Sequence, residues 1–183
     1  QEVLIQSGLY AGFVTTETSG AVAEAVFRAR GISPPELSTR IDSLEELDAM
    51  GRETMAALHG NRATGGYAAP DNAVTGALYP SAIRYGYGEL WSRPGLDRRQ
   101  RMLVAVAAFT AMGLDGQLEK FSRSALNVGL SKTEIVEAVI TDEPAVTKEA
   151  TDVVENLDVV HAPPLVPVPP PRPKDPYLAL RYD

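Results

Sequence analysis

The stretch that decides the fold reads GELWSRPGLDRRQRMLVAVAAF and occupies residues 88–109. Pro94 and Gly95 interrupt it, because proline lacks the backbone N–H that a helix interior uses and glycine readily leaves the helical conformation. Asp97 follows in a position suited to cap a new helix, with a glutamine three residues later as its reciprocal partner. The pattern after this cap is apolar almost all round. The stretch therefore predicts two helices joined by a sharp break, the second of them buried.

Helical signals continue on both sides of this stretch. Capping boxes that begin at Ser43 and Ser131 predict the starts of two more helices. Apolar stripes with helical spacing occur at 2–12, 17–30 and 117–128. Strand patterns do not appear in the sequence. We therefore expect an all-α helical bundle.

The composition changes after residue 158. Prolines crowd residues 159–183, which favours an extended polyproline II arm over a packed core. The chain thus divides into a helical segment at 1–31, a helical domain at 32–158 and this proline-rich arm. Apolar side chains near the end of the arm predict that it docks on a neighbouring subunit. Residue 1 enters an apolar pattern without a cap, which a longer parent chain cut before residue 1 and a permuted arrangement would each explain.

Several function classes are excluded by composition. The chain has no cysteine, which removes disulfides, thiolate metal sites and redox pairs. Only two histidines are present, so a histidine-rich metal site is excluded, and we expect no metal and no cofactor. The net charge of −7 argues against nucleic acid or an anionic membrane surface as partner. No apolar run is long enough to span a membrane, and we expect a cytoplasmic location.

Polar and aromatic residues are densest at 85–94. Glu89 and Arg93 are four residues apart and would share one face of a helix. One interpretation is a surface ion pair beside a patch of aromatic core. The other is a pocket wall in which Trp91 supplies a flat apolar surface, Arg93 holds a carboxylate and Glu89 orients or moves a proton. The pattern leaves both open.

Other charged residues carry weaker signals. Arg98 and Arg101 are neighbours on a helix and are either solvated or available to an anionic ligand. His59 ends its helix and is expected to cap it or to lie at the surface. His161 falls in the proline-rich arm and is expected to be inert.

Two stretches of the sequence, 88–108 and 117–137, resemble the carboxymuconolactone decarboxylase family in order and spacing. A third stretch, EVLIQSGLYAGF at 2–13, is similar to the segment that follows them in the family, although here it comes first. The resemblance implies an all-α fold shared with the alkyl-hydroperoxidase D-like proteins. The peroxidase branch requires a Cys-x-x-Cys pair, which this chain lacks.

The resemblance implies decarboxylation of a small lactone acid, in which CO2 leaves, electron density moves into a carbonyl and a proton is delivered to carbon. The family's usual histidine falls on Phe121, which cannot exchange a proton. Either Tyr10, Tyr87 or Glu119 supplies that proton, or this repeat has lost activity. The candidate site residues are Glu89, Arg93 and Tyr10 for catalysis, and Trp91, Tyr87, Arg98 and Phe121 for substrate binding.

Two functions therefore stay open. The first is a decarboxylase-like enzyme that acts on a small carboxylated lactone or ring compound, by decarboxylation or related proton-transfer chemistry. The second is a non-catalytic structural or partner subunit built from a degenerate family repeat. Both predict a homo-oligomer or a paired subunit assembled through the C-terminal arm, with no nucleic acid and no membrane as partner.

Overall fold

The structure is a computed structural model that describes residues 1–34, 40–63 and 69–140. Every regular element in these residues is helical, and they contain no strand, which confirms the all-α prediction. No helix among them has both the length and the apolar character needed to cross a membrane. The proline-rich arm and the end of the predicted helical domain, residues 141–158, lie outside the described residues. The helices are α1 Glu2–Ala11, α2 Phe13–Ala29, α3 Leu44–His59, α4 Tyr79–Ser81, α5 Arg98–Ala111, α6 Asp115–Asn127 and α7 Lys132–Val139.

Three capping boxes set the starts of α3, α5 and α7, as the sequence predicts. The side chains of Ser43, Asp97 and Ser131 each accept a hydrogen bond from the backbone N–H three residues further on. The side chain of the glutamate or glutamine at that position accepts a hydrogen bond in turn from the backbone N–H of the cap residue. Two orphan donors of each helix are thereby satisfied.

A π segment, Ala82–Leu90, continues α4 where the sequence predicts an ordinary helix. Its wide turn is seen where the backbone N–H of Trp91 bonds to the carbonyl oxygen of Gly86, five residues earlier, at 3.0 Å. The π segment lies directly against α3. A Cβ on Gly51 would overlap the carbonyl oxygen of Ile83, so the two backbones approach this closely only because a glycine stands there.

The core lies around α5, which packs against α1, α6 and α7. The sequence predicts a buried α5, but only one side of it is buried, because Ala107 and Ala111 on the other side are exposed. The helices that surround it contribute aliphatic and aromatic side chains. The buried core residues are Leu58, Trp91, Met102, Ala105, Val106, Phe109, Leu118, Phe121, Ala125, Leu130, Ile135 and Val139.

Arg101 is the largest fully buried side chain of the described residues, with 0% exposure. Its guanidinium donates to Gln6 Oε1 at 2.7 Å and to the carbonyl oxygen of Arg93 at 2.7 Å. It also lies 3.5 Å from a carboxylate oxygen of Glu2. Of the two possibilities that the sequence leaves open for Arg101, solvation is wrong, because an arginine can enter the interior when its charge and most of its donors are met there. Its Nε has no hydrogen-bond partner among the described residues. These bonds fasten α1 to α5.

Glu2 joins this buried cation to a second one. Its carboxylate accepts two hydrogen bonds from Arg93, at 3.0 Å from Nε and 2.8 Å from Nη2. Hydrogen bonds from Arg93 hold the pKa of Glu2 below its usual value. A two-pronged bond between a guanidinium and a carboxylate is strong and sets direction as well as charge. Residues 1–12 are therefore held by charge as well as by apolar packing.

We expect Glu2→Gln to lower the free energy of unfolding by about 1–3 kcal/mol, because two poorly exposed guanidinium groups lose their anion. Urea unfolding followed by circular dichroism measures the change. Glu24→Gln is the matched control, since Glu24 pairs with Arg28 at the surface with 71% of its side chain exposed and such pairs contribute little. Equal stabilities for the two variants would contradict this account of Glu2.

Candidate active site

Phe121 is at the centre of an aromatic cluster that brings together four of the candidate residues. It is 4% exposed. Its ring centroid lies 6.3 Å from that of Tyr10 and 6.4 Å from that of Trp91. Tyr87 stacks on Trp91 with a centroid separation of 6.3 Å. These residues come from α1, the π segment, its C-terminal end and α6, so the fold assembles them from distant parts of the chain.

The three charged candidates lie away from this cluster's hydrogen-bonding groups. Glu89 is exposed. Arg98 is 47% exposed and faces Glu53 at 3.7 Å. Arg93 is bound by Glu2, which replaces the ion pair with Glu89 that the spacing suggested. The π segment ends at Leu90, so Arg93 lies past the helix. The charge of Glu89 still helps to raise the pKa of Arg93, but the ion pair is formed with Glu2.

His59 joins the cluster, although the sequence interpretation placed it at the surface. That expectation is wrong, because His59 is 1% exposed and its ring lies 4.9 Å from the ring of Phe121. Its position on α3 explains the burial. Gly51, Met55 and His59 follow each other at intervals of four and share the face that packs inward. That interval was the signal by which the sequence could have identified His59.

The imidazole of His59 is hydrogen-bonded at both nitrogens. Nε2 lies 2.8 Å from the hydroxyl of Tyr87, and Nδ1 lies 2.7 Å from Oγ of Ser124. Ser124 donates its only hydrogen to the carbonyl oxygen of Lys120 at 3.0 Å. Its oxygen must then accept from Nδ1–H of His59, which leaves a lone pair on Nε2. We therefore assign the Nδ1–H tautomer, with the Tyr87 hydroxyl donating to Nε2.

Burial, together with the positive charges of Lys120 and Arg62, lowers the pKa of His59 from its ordinary value of 6.5 to about 3. The imidazole is consequently neutral near pH 7. Arg62 reaches the same network through Nη2, which donates to Ser124 Oγ at 3.2 Å. The arrangement can move a proton between Tyr87 and His59 and can hold the imidazole in one tautomer. Sequence reasoning missed Arg62 and Ser124, because no local pattern links them to His59.

An apolar groove of about 760 Å³ lies elsewhere, between α1, α5 and α7. Val3, Val104 and Ala108 are among the residues that line it. None of the candidate site residues does so. Within the part of the chain that the structure describes, no three histidine or acidic side chains converge as metal ligands would. The absence of a metal or cofactor stays a prediction.

Comparison with known proteins gives two kinds of match. Residues 77–155 match the model of the carboxymuconolactone decarboxylase family. The chain is 40% identical over 57 residues to a 4-carboxymuconolactone decarboxylase of Acinetobacter baylyi, an overlap of 31% of this chain and 42% of that protein. It is 38% identical over 56 residues to the nitrosuccinic acid decarboxylase npaB of Metarhizium robertsii, an overlap of 31% and 39%.

The chain thus spans less than half the length of these curated relatives. No solved structure matches it. The family match covers α4, the π segment, α5, α6 and α7, which include Tyr87, Trp91 and Phe121. The resemblance stated from the sequence is confirmed: residues 77–155 are a carboxymuconolactone decarboxylase family domain, distantly homologous to 4-carboxymuconolactone decarboxylase.

Proposed function

We propose that the chain is a decarboxylase-like enzyme that acts on a small carboxylated lactone or ring compound. The observation that carries this proposal is the buried, doubly hydrogen-bonded imidazole of His59 beside Phe121. Phe121 stands where the family's usual histidine is expected and cannot exchange a proton. His59 supplies an imidazole to the same cluster from another helix. The curated relatives described above are both named as decarboxylases, which supports the same reaction class.

The chemistry needs a group that exchanges protons with carbon. In decarboxylation, the bond between carbon and the carboxylate breaks, its electron pair moves into the adjacent carbonyl, and CO2 leaves. A proton must then reach the carbon. Tyr87 is the group that meets the substrate, because it is only half-buried while His59 lies behind it. The Tyr87 hydroxyl gives its proton to that carbon, and Nε2 of His59, which takes up a proton from solvent when the anionic substrate binds, gives a proton back to the Tyr87 oxygen.

The aromatic surroundings serve this exchange. Trp91 and Phe121 supply flat apolar surface, and they exclude water from the imidazole. Ser124 holds His59 in one tautomer, so His59 acts through Tyr87 as a positioning and proton-storing residue. The protonated imidazole is disfavoured by burial and by two nearby cations. A bound anionic substrate offsets those cations, so that Nε2 takes up a proton. Once decarboxylation moves the negative charge from the carboxylate into the carbonyl, the imidazolium is disfavoured again and its proton passes through Tyr87 to carbon.

Tyr87→Phe removes the hydroxyl and keeps the ring, so we expect kcat to fall by about 100-fold with little change in KM. The assay measures CO2 release, and deuterium uptake at carbon by NMR, with a panel of carboxylated lactones and cyclic keto acids. Tyr85→Phe is the matched control on the same π segment and should keep wild-type turnover. The enzyme proposal fails if no compound in the panel releases CO2 or exchanges a proton with the wild-type chain.

Stability should depend on pH through His59. The unfolded chain binds a proton at the imidazole below about pH 6.5, whereas the folded chain does so only near the lowered pKa of about 3. The contribution of His59 to the free energy of unfolding is therefore complete above pH 6.5 and is lost as the pH falls towards 3, by about 1.4 kcal/mol per pH unit. His59→Gln should flatten the profile measured by urea unfolding between pH 7 and 4. Parallel profiles would show that the folded protein protonates His59 normally.

A second candidate is a non-catalytic paired subunit. The exposure of α2 favours it, because none of its 17 residues is buried and Phe13, Val14 and Val22 are 71%, 79% and 62% exposed. Apolar surface of this kind is typical of protein interfaces. Together with the groove between α1, α5 and α7, it suits assembly with other subunits.

If the C-terminal arm assembles such a complex, deletion of residues 159–183 should convert an oligomer into monomers. Sedimentation velocity of the two chains at equal concentration measures this. An oligomer that persists after the deletion would contradict assembly through the arm.

A further inference from the structure

Two cations lie side by side next to the buried imidazole. Arg62 ends the short 3₁₀ turn Gly60–Arg62 that follows α3, and Lys120 belongs to α6. Arg62 donates from Nη1 to the carbonyl oxygen of Lys120 at 3.2 Å and from Nη2 to Ser124 Oγ at 3.2 Å. Both cationic side chains are half-buried. The fold therefore holds two positive groups at the outer side of Ser124.

Among the described residues, neither Arg62 nor Lys120 forms an ion pair. Other arginines of the chain have carboxylate partners, such as Arg93 with Glu2 and Arg123 with Glu119. Burial lowers the pKa of Lys120, and the neighbouring charge of Arg62 lowers it further. Burial also lowers the pKa of Arg62, the charge of Arg123 lowers it further, and the charge of Glu119 opposes both effects. Like charges held together in a half-buried place favour an anion between them.

The donors that are left fit a carboxylate. A guanidinium has five N–H groups, and Arg62 uses two nitrogens on Ser124 and Lys120, so N–H groups remain for a ligand. The ammonium group of Lys120 contributes up to three donors. A carboxylate is planar and offers two oxygens to these donors, and its single negative charge offsets part of the positive charge of the two cations. The guanidinium of Arg93 does not bind this ligand while its Nε and Nη2 donate to Glu2.

We propose that Arg62 and Lys120 form the binding site for the carboxylate group of the substrate, at the mouth of the network that runs through Ser124 to His59. The proposal rests on the proposed decarboxylase-like function and assigns the carboxylate to a place other than Arg93. It also links binding to chemistry. The groups that face the imidazole are Tyr87 from the π segment, Arg62 from the 3₁₀ turn and Lys120 from α6, and a bound anion offsets the last two.

Benzoate, a carboxylate on a flat ring, is the probe, and benzamide is its neutral match. Isothermal titration calorimetry of the full chain should show benzoate binding and at least tenfold weaker binding of benzamide. Arg62→Gln and Lys120→Gln should each weaken benzoate about tenfold, because each removes a charged donor. Arg28→Gln removes an exposed arginine elsewhere and should bind benzoate as the wild type does. Inorganic phosphate should bind more weakly than benzoate.

Lys120→Gln is the decisive variant, because it removes the charge and keeps the backbone carbonyl that Arg62 and Ser124 use. An unchanged melting temperature shows that it folds. Benzoate binding that survives both substitutions overturns the site, as does binding of benzamide equal to that of benzoate or phosphate binding tighter than benzoate. A nitrogen-15 NMR titration gives a second readout: benzoate should raise the pH at which His59 becomes protonated, and an unmoved titration counts against the site.

The two proposals fail separately. A chain that binds benzoate through Arg62 and Lys120 but turns over no carboxylated compound keeps this site and loses the enzyme proposal. A chain whose turnover and KM are unchanged by Lys120→Gln keeps the enzyme proposal and loses this site.

Discussion

The rest of the structure depends on the contacts that the buried guanidinium of Arg101 makes with α1. A charge in the interior is costly unless it is paired and most of its donors are met there. Gln6 and Glu2 meet them from α1, which ties the first helix of the chain to α5. That attachment places Tyr10 edge-on against Phe109 at 4.9 Å and so completes one wall of the aromatic cluster.

Two groups of cations among the described residues have different consequences. Around Arg101 the carboxylate of Glu2 lies between two guanidinium groups, and the result is a join between helices. Around His59 the cations Arg62 and Lys120 form no ion pair among the described residues, although the charge of Glu119 acts on Arg62, and the result is an imidazole kept neutral. Cationic side chains thus join helices around Arg101, whereas around His59 they favour the binding of an anion. The two places differ because α1 supplies the carboxylate of Glu2 to Arg101 and Arg93.

The parts of the fold that can be predicted from the sequence are those with short-range causes. The helix starts at Ser43, Asp97 and Ser131 are readable because each capping box is complete within four residues. Local spacing fails where the partner is distant. Arg101 meets Gln6 across 95 positions and His59 meets Ser124 across 65, so neither burial has a local signal for its partner.

The candidate site divides in the same way. The family motif leads to Tyr87, Trp91 and Phe121, which do lie together. The motif leads equally to Arg93, although Arg93 is paired with Glu2. The spacing of a motif does not show which carboxylate will bind its arginine. The histidine that accompanies Phe121 could be found only by following the inward face of α3. Charge pairing decides which candidates can act, and charge pairing is a property of the three-dimensional structure.

The π segment makes this protein sensitive to length changes in a place where composition would tolerate them. A wide helical turn accommodates more residues than an α-helical turn over the same rise, so loss of one residue within 82–86 would allow an ordinary α-helix to form. Each residue of an α-helix turns the chain by about 100°, which would swing the hydroxyl of Tyr87 away from His59. Homologous chains that differ by one residue here would keep the bundle and its capping boxes but separate the phenol from the imidazole. Segment length, rather than residue identity, would then distinguish chains with this network from chains without it.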